Sequence, residues 1–270
     1  MLTANPASRV LVSSQETPVE RMARWREALQ PLFRVERLDH SAGAEIDLYH
    51  LGDLVVGRFR APGQVFRRHE GIEALEADGM LALLILDGEL AATVDEVEVH
   101  AIPGDLVLFD QSRAYSASLS SAEVMFVQGP AKLLAPRPGE DELFHGSVLR
   151  GSNPSCQLFQ GYLRQLYASC PRLMGQDVSR VGNALASLLR STVRGFVEDD
   201  ATGEQEGDGA NLPEPFRRYV ETHLASSDLS AEAMGNAFGM SRAALYRLFA
   251  PTGGVARYIR MQRLRRAMKD

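Results

Sequence analysis

The chain has 270 residues, 45% of them hydrophobic and 24% charged, which excludes a disordered, collagen-like or fibrous protein. No apolar run approaches the roughly 18 residues of a membrane span, and no basic segment leads into an apolar core at the N-terminus. The net charge of −6 is unevenly placed: residues 212–270 carry ten Lys/Arg and five Asp/Glu, a net of +5 that leaves −11 for residues 1–211, the pattern of a polyanion-binding tail on an acidic body.

In chain order, the first clear element starts at Thr17-Pro18-Val19-Glu20, a capping box with proline at the first helical position. It predicts a helix through Met22, Trp25 and Leu29 that stops before Pro31. Arg21, Arg24 and Arg26 then fall on the solvent side of a surface helix. Residues 46–129 read as short strands: Leu54–Phe59, Met80–Leu86, Glu89–Val94, Val97 with Val99, Leu106–Phe109, Tyr115–Leu119 and Val124–Val127. Asp87-Gly88 reads as a two-residue hairpin turn, and Pro103-Gly104-Asp105 as a turn into the next strand. Strands with tight turns and no helices between them indicate an antiparallel sandwich or small barrel.

Helical periodicity takes over after Pro154. Leu158, Tyr162, Leu166 and Cys170 lie four apart, and Val181, Leu185, Leu188 and Phe196 follow beyond Pro171. A helical hairpin over about 155–197 is expected, packed on the sheet or against a second copy of itself. Residues 198–211 hold six acidic residues, several glycines and no Lys or Arg, the composition of a solvated linker. Two cysteines, Cys156 and Cys170, are too few for a disulfide framework and favour a reducing, cytoplasmic setting.

The basic segment carries the chemistry. A helix is expected from about Glu214 to Leu224, with Phe216, Val220 and Leu224 as its core stripe. Ser230 is placed to cap a short helix that ends at Gly239, and Ser241 to cap the next, whose core residues are Leu245, Leu248 and Phe249. Two short helices joined by Gly-Met-Ser match a helix-turn-helix, and the second presents Arg242, Ala243, Tyr246 and Arg247 to solvent. Such a helix fits the DNA major groove. Arg242 or Arg247 can pair with guanine or phosphate, Tyr246 can touch phosphate or stack, and Ser241 sits where a hydroxyl and free N–H groups hold a phosphate. Arg257, Arg260, Arg263, Arg265 and Arg266 recur along a further helix and add electrostatic affinity with little sequence information.

Ser241, Leu245, Arg247, Phe249, Gly254, Tyr258, Ile259, Arg263, Leu264 and Ala267, in this order and spacing, closely resemble the DNA-binding signature of the AraC/XylS family of bacterial transcription regulators. Ile85 to Tyr115, with Gly88, Pro103-Gly104-Asp105 and Asp110, bears a fainter likeness to that family's cupin-like sensing domain. The resemblance implies an α+β protein. Residues 1–197 would form a cupin-like antiparallel β-barrel with a helical hairpin, for sensing and dimerisation, and residues 212–270 an all-α helix-turn-helix domain. It further implies a ligand-responsive activator that binds double-stranded promoter DNA as a homodimer through helix 241–249 and works with RNA polymerase. Two departures stand out. Gly235 occupies a position where the family usually has alanine, and the chain ends at Asp270, where family members continue into a second helix-turn-helix. A truncated, single-motif domain with lowered DNA affinity is the expectation. A dimerising interaction protein that blocks an intact relative is the alternative.

For the effector, Arg58, Arg68, His69 and Phe109 are the candidate pocket residues, with Arg68 or His69 pairing with a carboxylate. The six histidines lie no closer than ten residues apart, so no His-x-His metal pair exists and neither a metal nor a cofactor is expected. Phosphate-binding glycine loops and a nucleophile elbow are missing as well, which leaves a cupin-type metalloenzyme as the least favoured reading.

Overall fold

The computed structural model describes residues 8–12, 17–29, 32–39, 43–68, 79–95, 97–135, 144–202, 212–226, 228–249, 255, 258–259, 261–263 and 266. They fall into two units, the first within residues 1–94 and 98–193, the second chiefly within 194–270. The class is α+β, with antiparallel sheets and helices in the first unit and helices alone among the described residues of 212–266.

Helix α1 (Pro18–Leu29) opens on the expected capping box. Thr17 N donates to Glu20 Oε2 at 3.0 Å and Glu20 N donates to Thr17 Oγ1 at 3.3 Å. A further bond from the Thr17 hydroxyl holds the Glu20 carboxyl below its usual range. Trp25 and Leu29 are fully buried, as their spacing requires. Arg21, read from the sequence as solvent-facing, is buried beside them, because it precedes Trp25 by one helical turn and shares its face.

Strands β1 (Ser8–Val12), β3 (Ala44–Leu51), β4 (Leu54–Ala61), β11 (Ala122–Pro130), β6 (Gly79–Asp87), β9 (Leu106–Asp110) and β12 (Ser147–Leu149) form one sheet in that spatial order. Strands β2 (Arg34–Leu38), β5 (Gln64–Arg68), β10 (Tyr115–Leu119), β7 (Leu90–Val94) and β8 (Val97–Ala101) form the other. The Asp87-Gly88 hairpin expectation is corrected here. β6 pairs with β9 and β11 while β7 pairs with β10 in the second sheet, so these residues make a corner that carries the chain from sheet to sheet. Gly88 takes φ +83°, and a Cβ on it would lie 2.5 Å from the Ser121 carbonyl oxygen, so only glycine turns this corner.

The sheets close on an interior rich in aromatic side chains. Phe59, Phe109 and Phe126 of the first sheet meet Phe66 and Tyr115 of the second, with Trp25 and Phe33 beneath them. Phe33 stacks on Phe66 at 4.0 Å between ring centroids, and Trp25 meets Phe59 edge-on at 6.2 Å. The Trp25 indole spends its one donor on Gln64 Oε1 at 2.8 Å, inside the core. Burial in β6 is continuous over Met80–Ile85, so both faces of the strand are covered.

The chain leaves β11 through the short helix α2 (Ala131–Leu134), and the outer face meets helices α3 (Pro154–Ser169) and α4 (Gln176–Thr202), the expected hairpin. Asn153 caps α3, accepting from Ser155 N and Cys156 N, with Pro154 at the first helical position. Tyr167 stands edge-on to Tyr49 of β3 and donates to Asp47 Oδ2 at 3.3 Å. α4 comes so close to the β3–β4 turn that a Cβ on Gly182 would lie 2.4 Å from the Leu51 carbonyl oxygen. The helix also runs five residues into the acidic stretch read as linker. Glu198–Thr202 contains no breaker, and Gly203 is the first one met.

The Pro103-Gly104-Asp105 turn has a second function in this packing. The buried Asp105 carboxylate accepts from Ile102 N (3.2 Å), Gly151 N (2.9 Å) and Arg150 Nη1 (2.7 Å), tying the β8–β9 turn to the entry of α3. Gln160 of α3 adds a bond to the Gly104 carbonyl at 2.6 Å. Asp105→Ala strands these donors and is expected to cost roughly 3 kcal/mol of unfolding free energy in urea denaturation, whereas Glu98→Ala, on the exposed face of β8, leaves it unchanged.

Candidate functional site

Helices α5 (Glu214–His223), α6 (Ala231–Phe238) and α7 (Arg242–Phe249) surround a core of their own, built on Phe216, Val220, Met234, Leu245, Phe249 and Tyr258. Phe216 stacks on Phe238 at 4.2 Å and meets Phe249 edge-on, which locks α5 against both shorter helices. α6 begins at Ser230, whose hydroxyl accepts from Ala233 N, and ends at Gly239 in the left-handed region at φ +61°. Met240 N then returns to the Gly235 carbonyl at 2.9 Å. This return accounts for the glycine at 235: a Cβ there would stand 3.1 Å from the Met240 carbonyl oxygen, tighter than ordinary contact.

α7 starts at Ser241, whose Oγ accepts from Ala244 N at 3.3 Å. The hydroxyl is exposed and keeps its own proton to donate. Leu245 and Phe249 are fully buried and Arg247 is exposed, as the periodicity requires. Arg242, Ala243 and Tyr246 belong to α7 by their backbone; their side chains, and the whole of Arg257 and Arg265, lie outside the described residues. Arg263, expected among the DNA contacts, is bonded within the unit. Its Nε donates to the Leu224 carbonyl at 3.1 Å and its Nη2 to the Ser226 carbonyl at 2.7 Å. Leu224 is the C-cap of α5 and Ser226 lies in the turn beyond it, so the guanidinium ties its own segment to the end of that helix.

In the first unit the four residues considered for an effector part company. Phe109 is wholly buried, stacked on Tyr115 at 4.3 Å, and forms part of the aromatic interior. Arg58 neighbours the inward-facing Phe59 on β4 and so points to the opposite, outer face. There it pairs with Glu123 at 2.6 Å, in a network that Arg60 extends to Glu45. Arg58 is therefore not in the barrel interior with Phe109. His69 lies outside the described residues.

Arg68 shares the inward face of β5 with Phe66 and is 5% exposed. Its Nε donates to the Gln111 carbonyl, and among the described residues no carboxylate pairs with it. Burial depresses its pKa, against smaller opposing effects of Tyr115 and Asp110. Around it lies a polar cluster that sequence reasoning missed. Asp110 Oδ1 accepts from Ser112 N and Oγ, both at 2.7 Å, and Gln111 Nε2 donates to the Tyr115 hydroxyl at 3.3 Å. His145 Nδ1 accepts from Asp110 N at 3.1 Å, which puts its proton on Nε2, facing the Ala114 carbonyl at 3.3 Å. Asp110 Oδ2 and Gln111 Oε1 are buried without a partner, a cost of about 1–3 kcal/mol for each such atom. The available signal was the polar pair Asp110-Gln111 closing the apolar run Leu106–Phe109. Among the described residues no three His, Cys, Asp or Glu side chains converge as metal ligands.

Residues 23–194 match the AraC-binding-like domain family. The chain belongs to that family. Its similarity to the crystal structure of the AraC-like transcriptional activator CuxR covers 96% of this chain and 95% of that one, at 26% identity and a TM-score of 0.60. Two cupin structures are similar over smaller parts. The cupin domain of an XRE-family transcriptional regulator from Enterobacter cloacae covers 28% of this chain and 78% of its own at 19% identity and TM-score 0.23. A cupin superfamily protein from Desulfitobacterium hafniense covers 32% and 76% at 17% and 0.27. Among curated proteins no relative matches by sequence. The AraC-binding-like membership and the likeness to an activator support a regulatory role, and no described helix is long and apolar enough to cross a membrane.

In this AraC-binding-like unit, burial pushes the Tyr115 hydroxyl up to about 12. An unfolded tyrosine ionises near pH 10. The stabilising contribution of Tyr115 is thus complete below about pH 10 and is lost between about pH 10 and 12, at roughly 1.4 kcal/mol per pH unit. Denaturant titrations across this range should show the steeper fall in the native protein and a shallower one in Tyr115→Phe.

Proposed function

We propose that the protein is a sequence-specific, ligand-responsive transcription regulator that binds double-stranded promoter DNA through α7. The observation that carries this reading is the near-full-length likeness to an AraC-like transcriptional activator, which spans both units. The local geometry supports it. α7 is short and capped at its start, is anchored from behind by Leu245 and Phe249, and holds Arg247 out to solvent.

In this reading Ser241, Arg242, Ala243, Tyr246 and Arg247 face the major groove, where an arginine donates two hydrogen bonds to a guanine. Arg257 and Arg265 add phosphate contacts. Arg263 supports the interface from within by fixing the segment that follows α7 to the end of α5. The first unit senses a small molecule and dimerises, which places two copies of α7 on repeated half-sites. RNA polymerase is the partner that an activator of this kind meets at the promoter. The protein works in the cytoplasm and is not an enzyme; family membership supports both statements.

Recovery and sequencing of the genomic DNA bound to this protein tests the proposal. One recurring motif upstream of genes is expected, and uniform recovery of all sequences would overturn it. On the recovered site, Arg247→Ala should lose about 1–3 kcal/mol of specific affinity and relax the preference at one base position. Arg263→Ala should behave otherwise. Its effect is a lower thermal midpoint for the second unit, with the salt dependence of DNA binding unchanged, because no phosphate contact is removed.

A further inference from the structure

Helix α3 is covered on one side and bare on the other. Cys156, Phe159, Leu163 and Leu166 are buried against the first unit. The opposite side carries Leu158, Gly161, Gln165 and Ala168, all exposed, at intervals of three, four and three residues. That is the spacing of a seam between packed helices. Its chemistry agrees with its spacing. Arg164 is the one charged residue among the sixteen of α3, whereas a helix face left to water ordinarily carries several. Leu158 is 72% exposed, a large apolar side chain in open solvent. Gly161 stands in the middle of the helix, where glycine is less favourable than alanine. Its own unit does not require it there: a Cβ would meet no described atom within 4 Å, and its φ is not positive. The notch it leaves faces outward, where only another molecule can use it.

The seam fits itself. Two copies of α3, set antiparallel about a twofold axis level with Leu163, bring Leu158 against Ala168 and Gly161 against Gln165. A large side chain then meets a small one at every level of the contact. With no carboxylate on the helix and one arginine at the flank, the face offers an unlike partner little charge pattern to recognise. We propose that this face of α3 is the dimer contact, closed by the same face of a second copy in antiparallel register. The seam is about 15 Å long and falls short of the roughly 800 Å² per partner of a stable interface. The dimer is therefore weak and reversible in free solution, and it tightens when both copies of α7 hold neighbouring half-sites. The inference rests on reading the first unit as the dimerising half of a regulator and gives that dimer its contact.

Sedimentation equilibrium of the full chain over about 1–200 μM tests it and should show reversible exchange between monomer and dimer. Gly161→Gln fills the notch, and Leu158→Glu puts carboxylates into the seam. Each should weaken dimerisation about tenfold or more, in proteins whose near-ultraviolet circular dichroism matches that of the native chain. Adding Ala168→Arg to Leu158→Glu should restore the dimer, because the antiparallel register sets the new opposite charges face to face across the seam. Within one helix they are too far apart to pair. The proposal is overturned if the chain stays monomeric throughout, if either single variant dimerises like the native protein, or if the double variant associates no more tightly than Leu158→Glu. Recovery of DNA with the same protein keeps the two readings apart. Selective DNA binding by a chain that stays monomeric, or whose dimer ignores these variants, removes this inference and leaves the regulator. A dimer that obeys the variants but prefers no DNA sequence removes the regulator and leaves the interface.

Discussion

The central strands of the larger sheet have no face to give to water. Met80–Ile85 of β6 and Leu106–Asp110 of β9 are buried throughout, so something must cover both sides. Inside, the cover is the second sheet and the aromatic cluster gathered around Phe59, Phe66 and Phe126. Outside, the short helix over Ala131–Leu134 lies against β6 and β11, and the helical hairpin is held to the sheet by Tyr167 on Asp47, by Gln160 on Gly104 and by the close approach of Gly182 to Leu51. Taking either layer away exposes a continuous apolar strand, a surface that proteins of this size do not leave open. The barrel and the hairpin are therefore one folding problem, and the Asp105 carboxylate, which joins a turn of one to the entry of the other, is placed at their seam.

The two units arrange polar groups in opposite ways. In the second, polar groups at the helix ends find partners in the chain itself: Ser230 and Ser241 take backbone N–H groups, and Arg263 takes the carbonyls beyond α5. What is left over there is exposed and basic, and it suits a polyanion. In the first, polar atoms without a hydrogen-bond partner are internal, among them Asp110 Oδ2 and Gln111 Oε1.

Elements with a strong local signal were legible in the sequence. The capping box at Thr17, the apolar strand over Met80–Leu86 and the stop at Gly239 follow from side-chain chemistry within a few residues. Partnership between distant segments was not legible. Asp87-Gly88 has the composition of a hairpin turn, and only the pairing of β7 with β10, 25 residues on, makes it a corner. Arg58 and Arg68 both sit on strands, and their fates divide by which way each strand presents them, which no motif records. Arg263 looked like one more cation on a basic helix until the carbonyls beyond Leu224 came within its reach. Charge counts say where cations are and not which of them the fold has already used.

The long helix α4 carries the chain out of the first unit, and its last turn has no basic residue. The stretch that ends it, residues 198–202, is acidic in sequence, so the helix continues past Arg194 without a further cation. A helix whose last turn lacks a cation depends for its persistence on the packed residues behind it, Leu185, Leu189 and Val193.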